Sequence, residues 1–232
     1  MTRLRVLLFD VFGTVVDWRA SLIEIAEGLP GADWPAVIDD WRRAYQPAMD
    51  RVRSGDPWRD LDSLQRQTLA EVTARHGITL SDADAQTLVR GWRRLRPWPD
   101  SRDGLLRLRA SQLTATLSNG HMALLAELLK FGDLRFDVVL SAQLAGSYKP
   151  EPSVYLEALR LLECPPEQAG MVAAHAGDLA AAAALGLRPI FIHRPLEWGP
   201  GPAVERPPAL DGLIEARDFL ELADLLTAGR AA

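Results

Sequence analysis

The 232 residues are enough for one sizeable core, or for a core carrying a smaller inserted unit. Nearly half are apolar and a quarter charged, as in an ordinary globular chain, and a formal net charge of -5 gives no electrostatic reason to bind nucleic acid or an anionic membrane. One cysteine, Cys164, excludes an internal disulfide and fits a reducing cytoplasm. Cys164 has no activating neighbour in sequence and is not expected to be a reactive thiol. The first apolar run stops at Asp10, too early for the hydrophobic part of a secretory signal, and no stretch approaches the roughly 20 apolar residues of a membrane span. A cytoplasmic protein with no membrane association is expected.

Arg5 to Phe9 is an unbroken apolar run, the pattern of a strand buried on both faces of a parallel sheet. From Trp18 to about Pro97 the texture changes. Leu22 to Gly28, Pro35 to Asp50, Leu61 to His76 and Asp82 to Arg94 have helical periodicity, and no convincing strand lies among them. The chain returns through Pro97-Trp98-Pro99, which cannot be helical throughout. Alternation then resumes. Helices are expected at Asp103 to Ala110, Ala123 to Phe131, Pro152 to Leu162, Leu179 to Leu185 and Phe219 to Thr227. Strands are expected at Leu113 to Leu117, Val138 to Leu140, Met171 to Ala174 and Pro189 to Ile192. Gly186 reads as the cap of its helix. Pro195 to Pro208, rich in proline and glycine, reads as an irregular excursion near the edge of the sheet.

Strands alternating with helices imply an α/β fold, here a doubly wound parallel sheet with a Rossmann-like core and an inserted helical cap domain. Residues 1–16 and 98–232 form the core in this reading, and 17–97 the cap. In such sheets ligands bind outside the carboxyl ends of the strands. Three expected strands end in polar residues there: Asp10, Ser118-Asn119 and His175 with Asp178. Lys149 precedes a helix nearby. A lone aspartate after a strand is commonly a turn residue, but a carboxylate, a hydroxyl, an amide, an ammonium and a second carboxylate at one sheet edge point to chemistry.

Asp10-Val11-Phe12-Gly13-Thr14, Ser118-Asn119-Gly120, Lys149-Pro150 and Gly177-Asp178, in this order, resemble the four motifs of the haloacid dehalogenase superfamily. The helical insertion after the first motif resembles that family's cap. Asp10 is then an oxygen nucleophile, ionised at neutral pH. Gly13 permits a tight turn, Thr14 holds an Asp10 oxygen or caps the next element, and Lys149 offsets the charge around Asp10. Most superfamily members are magnesium phosphatases with a second aspartate in the first motif to protonate the leaving oxygen. Phe12 stands there, and a phenyl ring donates no proton. After Asp178 come Leu179 and a run of alanines, sparse in oxygen for magnesium.

Departure of halide from carbon needs neither proton nor metal. With Phe12, the sequence Tyr148-Lys149-Pro150-x-Pro152-x-x-Tyr155 and Trp41-Arg42 resemble the L-2-haloacid dehalogenase branch. That resemblance implies a small 2-haloacid substrate, no cofactor, no metal and frequent homodimers. It implies an attack by Asp10 on C2 with inversion and an aspartyl ester, which water hydrolyses to a 2-hydroxy acid. Lys149 and Thr14 would hold Asp10, and Ser118, Asn119 and nearby amides, in the loop region with Val11 and Phe12, would bind substrate. Arg42 (or Arg43 in the neighbouring register) would receive the halide with Asn119, and Asp178 would orient or deprotonate the water. Tyr155 is either a residue supporting the site or a core tyrosine. One departure stands out: Ala173-Ala174-His175 replaces the branch's Ser-Ser-Asn, so a hydroxyl is lost, and His175 becomes a base or a donor to halide. A similar stretch marks a subgroup with fluoroacetate activity, which makes fluoroacetate a substrate to test. Trp18, Trp58, Trp92 and Trp98 are expected to wall a dry pocket or to pack the cap and hinge. Two alternatives remain at this point: a magnesium phosphatase with degenerate motifs, and a non-catalytic binder of small acids.

Overall fold

The computed structural model describes residues 3–29, 33–201 and 206–228. The first strand, β1 (Val6–Phe9), is fully buried, as its apolar run requires. A two-residue strand, β2 (Val16–Asp17), leads into four helices: α1 (Trp18–Ala26), α2 (Trp34–Arg53), α3 (Leu61–Arg75) and α4 (Asp82–Gly91). Each starts at a side chain that satisfies an otherwise unpaired amide of the first turn: Asp17 on Ala20, Asp33 on Ala36, Asp60 on Ser63 and Ser81 on Asp84. The chain leaves this layer along β3 (Arg96–Pro97), antiparallel to β2. The helical layer is thus tied to the rest by a short two-stranded ribbon, invisible in the sequence because two residues are too few for periodicity.

The remaining elements are α5 (Ser101–Arg109), β4 (Leu113–Thr116), α6 (Met122–Gly132), α7 (Pro152–Leu161), β5 (Ala169–Ala173), α8 (Ala176–Ala184), β6 (Arg188–Ile192), β7 (Ile214–Ala216) and α9 (Phe219–Ala228). One sheet runs in the order β4-β1-β5-β6-β7, with every pairing parallel. The chain steps from β1 outward to β4, then crosses back over β1 to β5. The winding therefore reverses beside β1, which puts helices on both faces and opens a crevice at its carboxyl end. The register aligns Phe9 with Thr116 on one side and with Val172 on the other. Asp10, Ser118-Asn119 and Ala174-His175 consequently emerge at one edge.

One expectation needs correction, and one strand is new. Val138 to Leu140 is no strand: Val138 makes only an isolated bridge to Ala115. There the Thr116 hydroxyl donates to Leu140 O at 2.8 Å and accepts from Leu140 N at 2.9 Å, so a side chain replaces the ladder. β7, unforeseen, closes the far edge of the sheet. Gly186 does cap its helix, with φ +87°, a left-handed backbone that glycine adopts without penalty. Of the excursion 195–208, residues 202–205 lie outside the described residues.

A buried knot fixes the loop that follows β1. Arg194, after β6, donates from Nη1 and Nη2 to Asp100 at 2.7 and 2.9 Å and from Nε to Thr14 O at 2.9 Å. Asp100 also accepts from Phe219 N at 2.9 Å, at the start of α9. Trp98 donates to Gly13 O at 2.9 Å and Ser101 to Val15 O at 2.7 Å. Removing one member of a buried ion pair strands the other charge and costs about 3 kcal/mol or more. Arg194→Met should therefore lower the unfolding free energy by about 3 kcal/mol, read from urea denaturation. Arg194→Lys, which keeps charge but not the bidentate fork, should lose less; equal losses would deny the fork its role.

Candidate active site

At the carboxyl end of β1, Asp10 is buried and every oxygen is engaged. Lys149 Nζ donates to Oδ1 at 2.9 Å, and the Thr14 hydroxyl donates to Oδ2 at 2.7 Å. His175 Nδ1 lies 3.1 Å from the same Oδ2. Thr14 is held in turn, because its Oγ1 accepts from Ala174 N at 2.9 Å. Burial alone would raise the Asp10 pKa, but Lys149 and His175 overcome it and hold the carboxyl far below the usual range.

Lys149 bridges two carboxylates. Its Nζ donates to Asp178 Oδ2 at 2.5 Å, while the Tyr155 hydroxyl donates to Asp178 Oδ1 at 2.6 Å. Asn119 fixes the lysine's position, its Oδ1 accepting from Lys149 N at 2.8 Å. Burial opposes the ammonium, yet Asp10 and Asp178 keep the Lys149 pKa above its ordinary value. Asp178 is raised, first by burial and then, against Lys149, by the nearby Asp10 charge.

A cavity of about 320 Å³ opens over these groups. That is the small end of ligand pockets, which run from roughly 300 to 1,000 Å³. Asp10, Asn119, Lys149, His175 and Asp178 form its floor, and Phe12 stands beside them. Arg42, Tyr45 and Gln46 of α2 form its roof. The Arg42 guanidinium lies 4.5 Å from the Tyr45 ring centre and 5.5 Å from that of Trp18. Its Nε–H is buried and finds no acceptor among the described residues. Arg43, the register alternative, is exposed and pairs with Asp40 at 2.8 Å, so Arg42 is the arginine that faces the cavity.

Not every expected site residue lines this cavity. Val11 is fully buried in the core, and its carbonyl accepts from Val15 and Val16 in the turn after β1. Ser118 is equally buried, and its hydroxyl accepts from Gly120 N at 3.1 Å, shaping the turn that presents Asn119. Both therefore shape the loops beneath the cavity instead of lining it. Tyr155 supports Asp178 from below. The tryptophans stand one layer back. Trp92 packs edge-on to Phe12 and stacks with Tyr45, Trp18 lies behind Arg42, Trp58 packs on Tyr148, and Trp98 holds the Gly13 carbonyl.

Three contributors were not foreseen: Tyr45, Gln46 and Glu197. Tyr45 and Gln46 line the roof. Glu197, in the turn after β6, is fully buried, and its Oε1 lies 2.9 Å from His175 Nε2 and accepts from Trp18 Nε1 at 2.9 Å. Gly13 has φ +89°, and a Cβ there would fall 2.2 Å from Glu197 Oε1. Only glycine leaves room for that carboxylate. His175 is opposed by burial, but Glu197 and Asp10 raise its pKa to about 10.

As a donor set for magnesium these residues fit poorly. The carboxylates of Asp10 and Asp178 already face cationic or hydroxyl donors, and Phe12 supplies no oxygen. Among the described residues no group of three His, Cys, Asp or Glu side chains is arranged to hold a metal ion. Likewise, no helix among them is long and apolar enough to cross a membrane.

Residues 4–186 match the model of the haloacid dehalogenase-like hydrolase family. The (S)-2-haloacid dehalogenase 4A of Burkholderia cepacia is 29% identical over 198 residues, covering 82% of this chain and 84% of its own. Two solved structures are closely similar. An L-2-haloacid dehalogenase is 45% identical, with a TM-score of 0.90 over 97% of this chain and 99% of its own. A defluorinating L-2-haloacid dehalogenase is 37% identical, with a TM-score of 0.91 over 97% of this chain and 95% of its own. With four motifs converging on one buried aspartate and its lysine, this chain belongs to the haloacid dehalogenase-like hydrolases.

Proposed function

We propose that the protein hydrolyses short 2-haloalkanoic acids to 2-hydroxy acids through an ester on Asp10. The observation that carries this reading is a buried Asp10, held by Lys149, Thr14 and His175, beside Phe12 where a phosphatase needs its acid. Such a site is equipped for a leaving group that takes its electron pair and no proton. The layer 17–97 acts as the cap and core residues 1–16 and 98–232 carry the floor. A cytoplasmic homodimer belongs to the same reading, supported by the single cysteine and by the family resemblance.

In the first step Asp10 attacks C2 in line with the carbon–halogen bond. The C–O bond forms as the halide leaves with the bonding pair toward Arg42. The guanidinium is stacked, weakly hydrated and short of one acceptor, a state that suits it to receive an anion. Asn119 and backbone amides of its loop bind the substrate carboxylate. In the second step water attacks the Asp10 carbonyl carbon and passes a proton to Asp178. The acyl–oxygen bond then breaks, and the departing alkoxide takes that proton back as the 2-hydroxy acid. The acid left on Asp10 ionises, releasing the second proton of the water. Fluoroacetate is included in the substrate range on the resemblance of Ala173-Ala174-His175 and the likeness to a defluorinating structure.

Purified protein incubated with L-2-chloropropionate should release free chloride, unaffected by EDTA, whereas the D form should give little. Asp10→Asn should abolish release, because a carboxamide is a poor nucleophile. Chloride loss in EDTA, with turnover of aryl phosphates restored by magnesium, would favour the phosphatase instead; no turnover of either class would leave the binding alternative.

The two steps should also respond differently to acid. A group whose folded pKa is depressed stays ionised as pH falls through its ordinary value of 3.8, so the Asp10 carboxylate, and the chloride burst it produces, should persist there. Asp178 is shifted upward and takes a proton earlier, so steady-state hydrolysis should fail first. Rapid-quench measurement of chloride against 2-hydroxy acid at stepped pH separates them, and a common acid limb would deny Asp178 its place as base.

A further inference from the structure

His175 is wedged between two carboxylates. Its Nδ1 is 3.1 Å from Asp10 Oδ2 and its Nε2 is 2.9 Å from Glu197 Oε1. A neutral imidazole carries one N–H and one lone pair, so one of these contacts would set a lone pair against an anionic oxygen. Only the imidazolium donates to both. The groups facing it are Asp10 after β1, Glu197 after β6, Arg42 on α2, and Lys149 with Asp178 across the floor. Glu197 itself is immobilised: Trp18 holds the same oxygen, Gly13 leaves its carboxyl room, and its amide bonds Arg194 O at 3.0 Å.

Asp10 Oδ2 accepts from both Thr14 and His175, whereas Oδ1 has Lys149 alone among the described residues. Oδ1 is therefore the oxygen freer to attack carbon. Oδ2 becomes the ester carbonyl, and it takes the negative charge when water adds. Once Asp10 is an ester, its own anion no longer helps hold the proton on His175. Among the described residues, the only carboxylate still touching the ring is Glu197. Resting on the function proposed above, we infer that Glu197 is a positioning residue for ester hydrolysis. It keeps His175 as an imidazolium, so that Nδ1–H and the Thr14 hydroxyl together stabilise the oxyanion on Asp10 Oδ2. His175 is then a charged donor and not the base, which leaves the water's proton to Asp178. The upward-shifted histidine is consistent with this, its charge persisting below about 10 and lost as pH rises through it.

The test is Glu197→Gln, of equal size, beside Glu197→Asp. In the Gln variant the chloride burst should survive while 2-hydroxy acid release falls about 10²-fold, the usual cost of weakening one oxyanion donor. Acid-quenched Gln variant should then carry the mass of the aspartyl ester in a larger steady-state fraction than wild type. The alkaline limb of kcat should move down by at least about one pH unit, and Glu197→Asp should restore part of both. A purely structural role would lower burst and turnover together without added ester. Independently of turnover, ¹⁵N NMR of the wild-type histidines should show His175 protonated at both nitrogens at pH 8, with a lower midpoint in the Gln variant. A wild-type His175 that titrates near its ordinary value, or a Gln variant with unchanged profile and no added ester, would overturn the inference. The NMR arm stands even if Gln is too unstable to assay, because it reads wild type. If wild type gives the imidazolium but no chloride from any haloacid, the proposed substrate fails and the role of Glu197 in ester hydrolysis fails with it; chloride release with an ordinary His175 sinks the inference alone.

Discussion

Everything at the mouth of this sheet depends on one buried ammonium. Lys149 sits between Asp10 and Asp178, with barely a tenth of any of the three side chains exposed. Charges this far from water survive only when paired and hydrogen-bonded. The neighbours meet that requirement oxygen by oxygen: Thr14 and His175 on Asp10, Tyr155 on Asp178, and Asn119 on the lysine's own amide. A ladder of exchangeable surface pairs could drift. This one is held to the ends of β1, β4 and β5, and the Arg194–Asp100 knot behind it stops the first loop from relaxing outward.

The charge balance follows the proposed reaction. Asp10, Asp178 and Glu197 are matched by Lys149, Arg42 and a protonated His175. An incoming haloacid adds one negative charge to a neutral site. Forming the ester removes the charge on Asp10, transfers it to the halide, and departure of that halide returns the site to neutrality. Phe12 stands at the cavity with an aromatic layer behind it, Trp92 packed edge-on to Phe12 and to Trp41.

How much of this could be seen in the sequence depended on whether a residue had a periodic element beside it. Asp10 closes an unbroken apolar strand, and Asp178 follows a strand and opens a helix, so both could be placed at the sheet edge before any coordinates. Lys149 has no strand before it, and its place rested on the helix that follows and on the order of the four motifs. Val138 to Leu140 looked like a strand because it is apolar, but its pairing belongs to the Thr116 hydroxyl, which no pattern reveals. Ser118 and Val11 carried the right motif positions and still turn inward, because a tight loop spends its short side chains on its own backbone. Glu197 lay hidden in a stretch rich in proline and glycine, where periodicity says nothing. Its one signal was a carboxylate set between Leu196 and Trp198.

That carboxylate and His175 belong together. Replacing a neutral amide beside a nucleophile with an imidazole changes little unless the ring is charged, because a neutral imidazole offers one donor and a lone pair. Asp10 alone would charge it only while Asp10 is ionised, which is the part of the cycle in which no oxyanion exists. A second carboxylate, untouched by substrate, removes that dependence. Its burial is costly, and the structure offsets part of the cost through Trp18 and His175 on Oε1 and through the absence of a side chain at Gly13, while Oε2 is buried with no partner among the described residues. Gly13 thus answers to two demands at once, the left-handed turn after β1 and the space for Glu197. One charged donor aimed at the Asp10 carbonyl oxygen stabilises an oxyanion there more strongly than a neutral donor would.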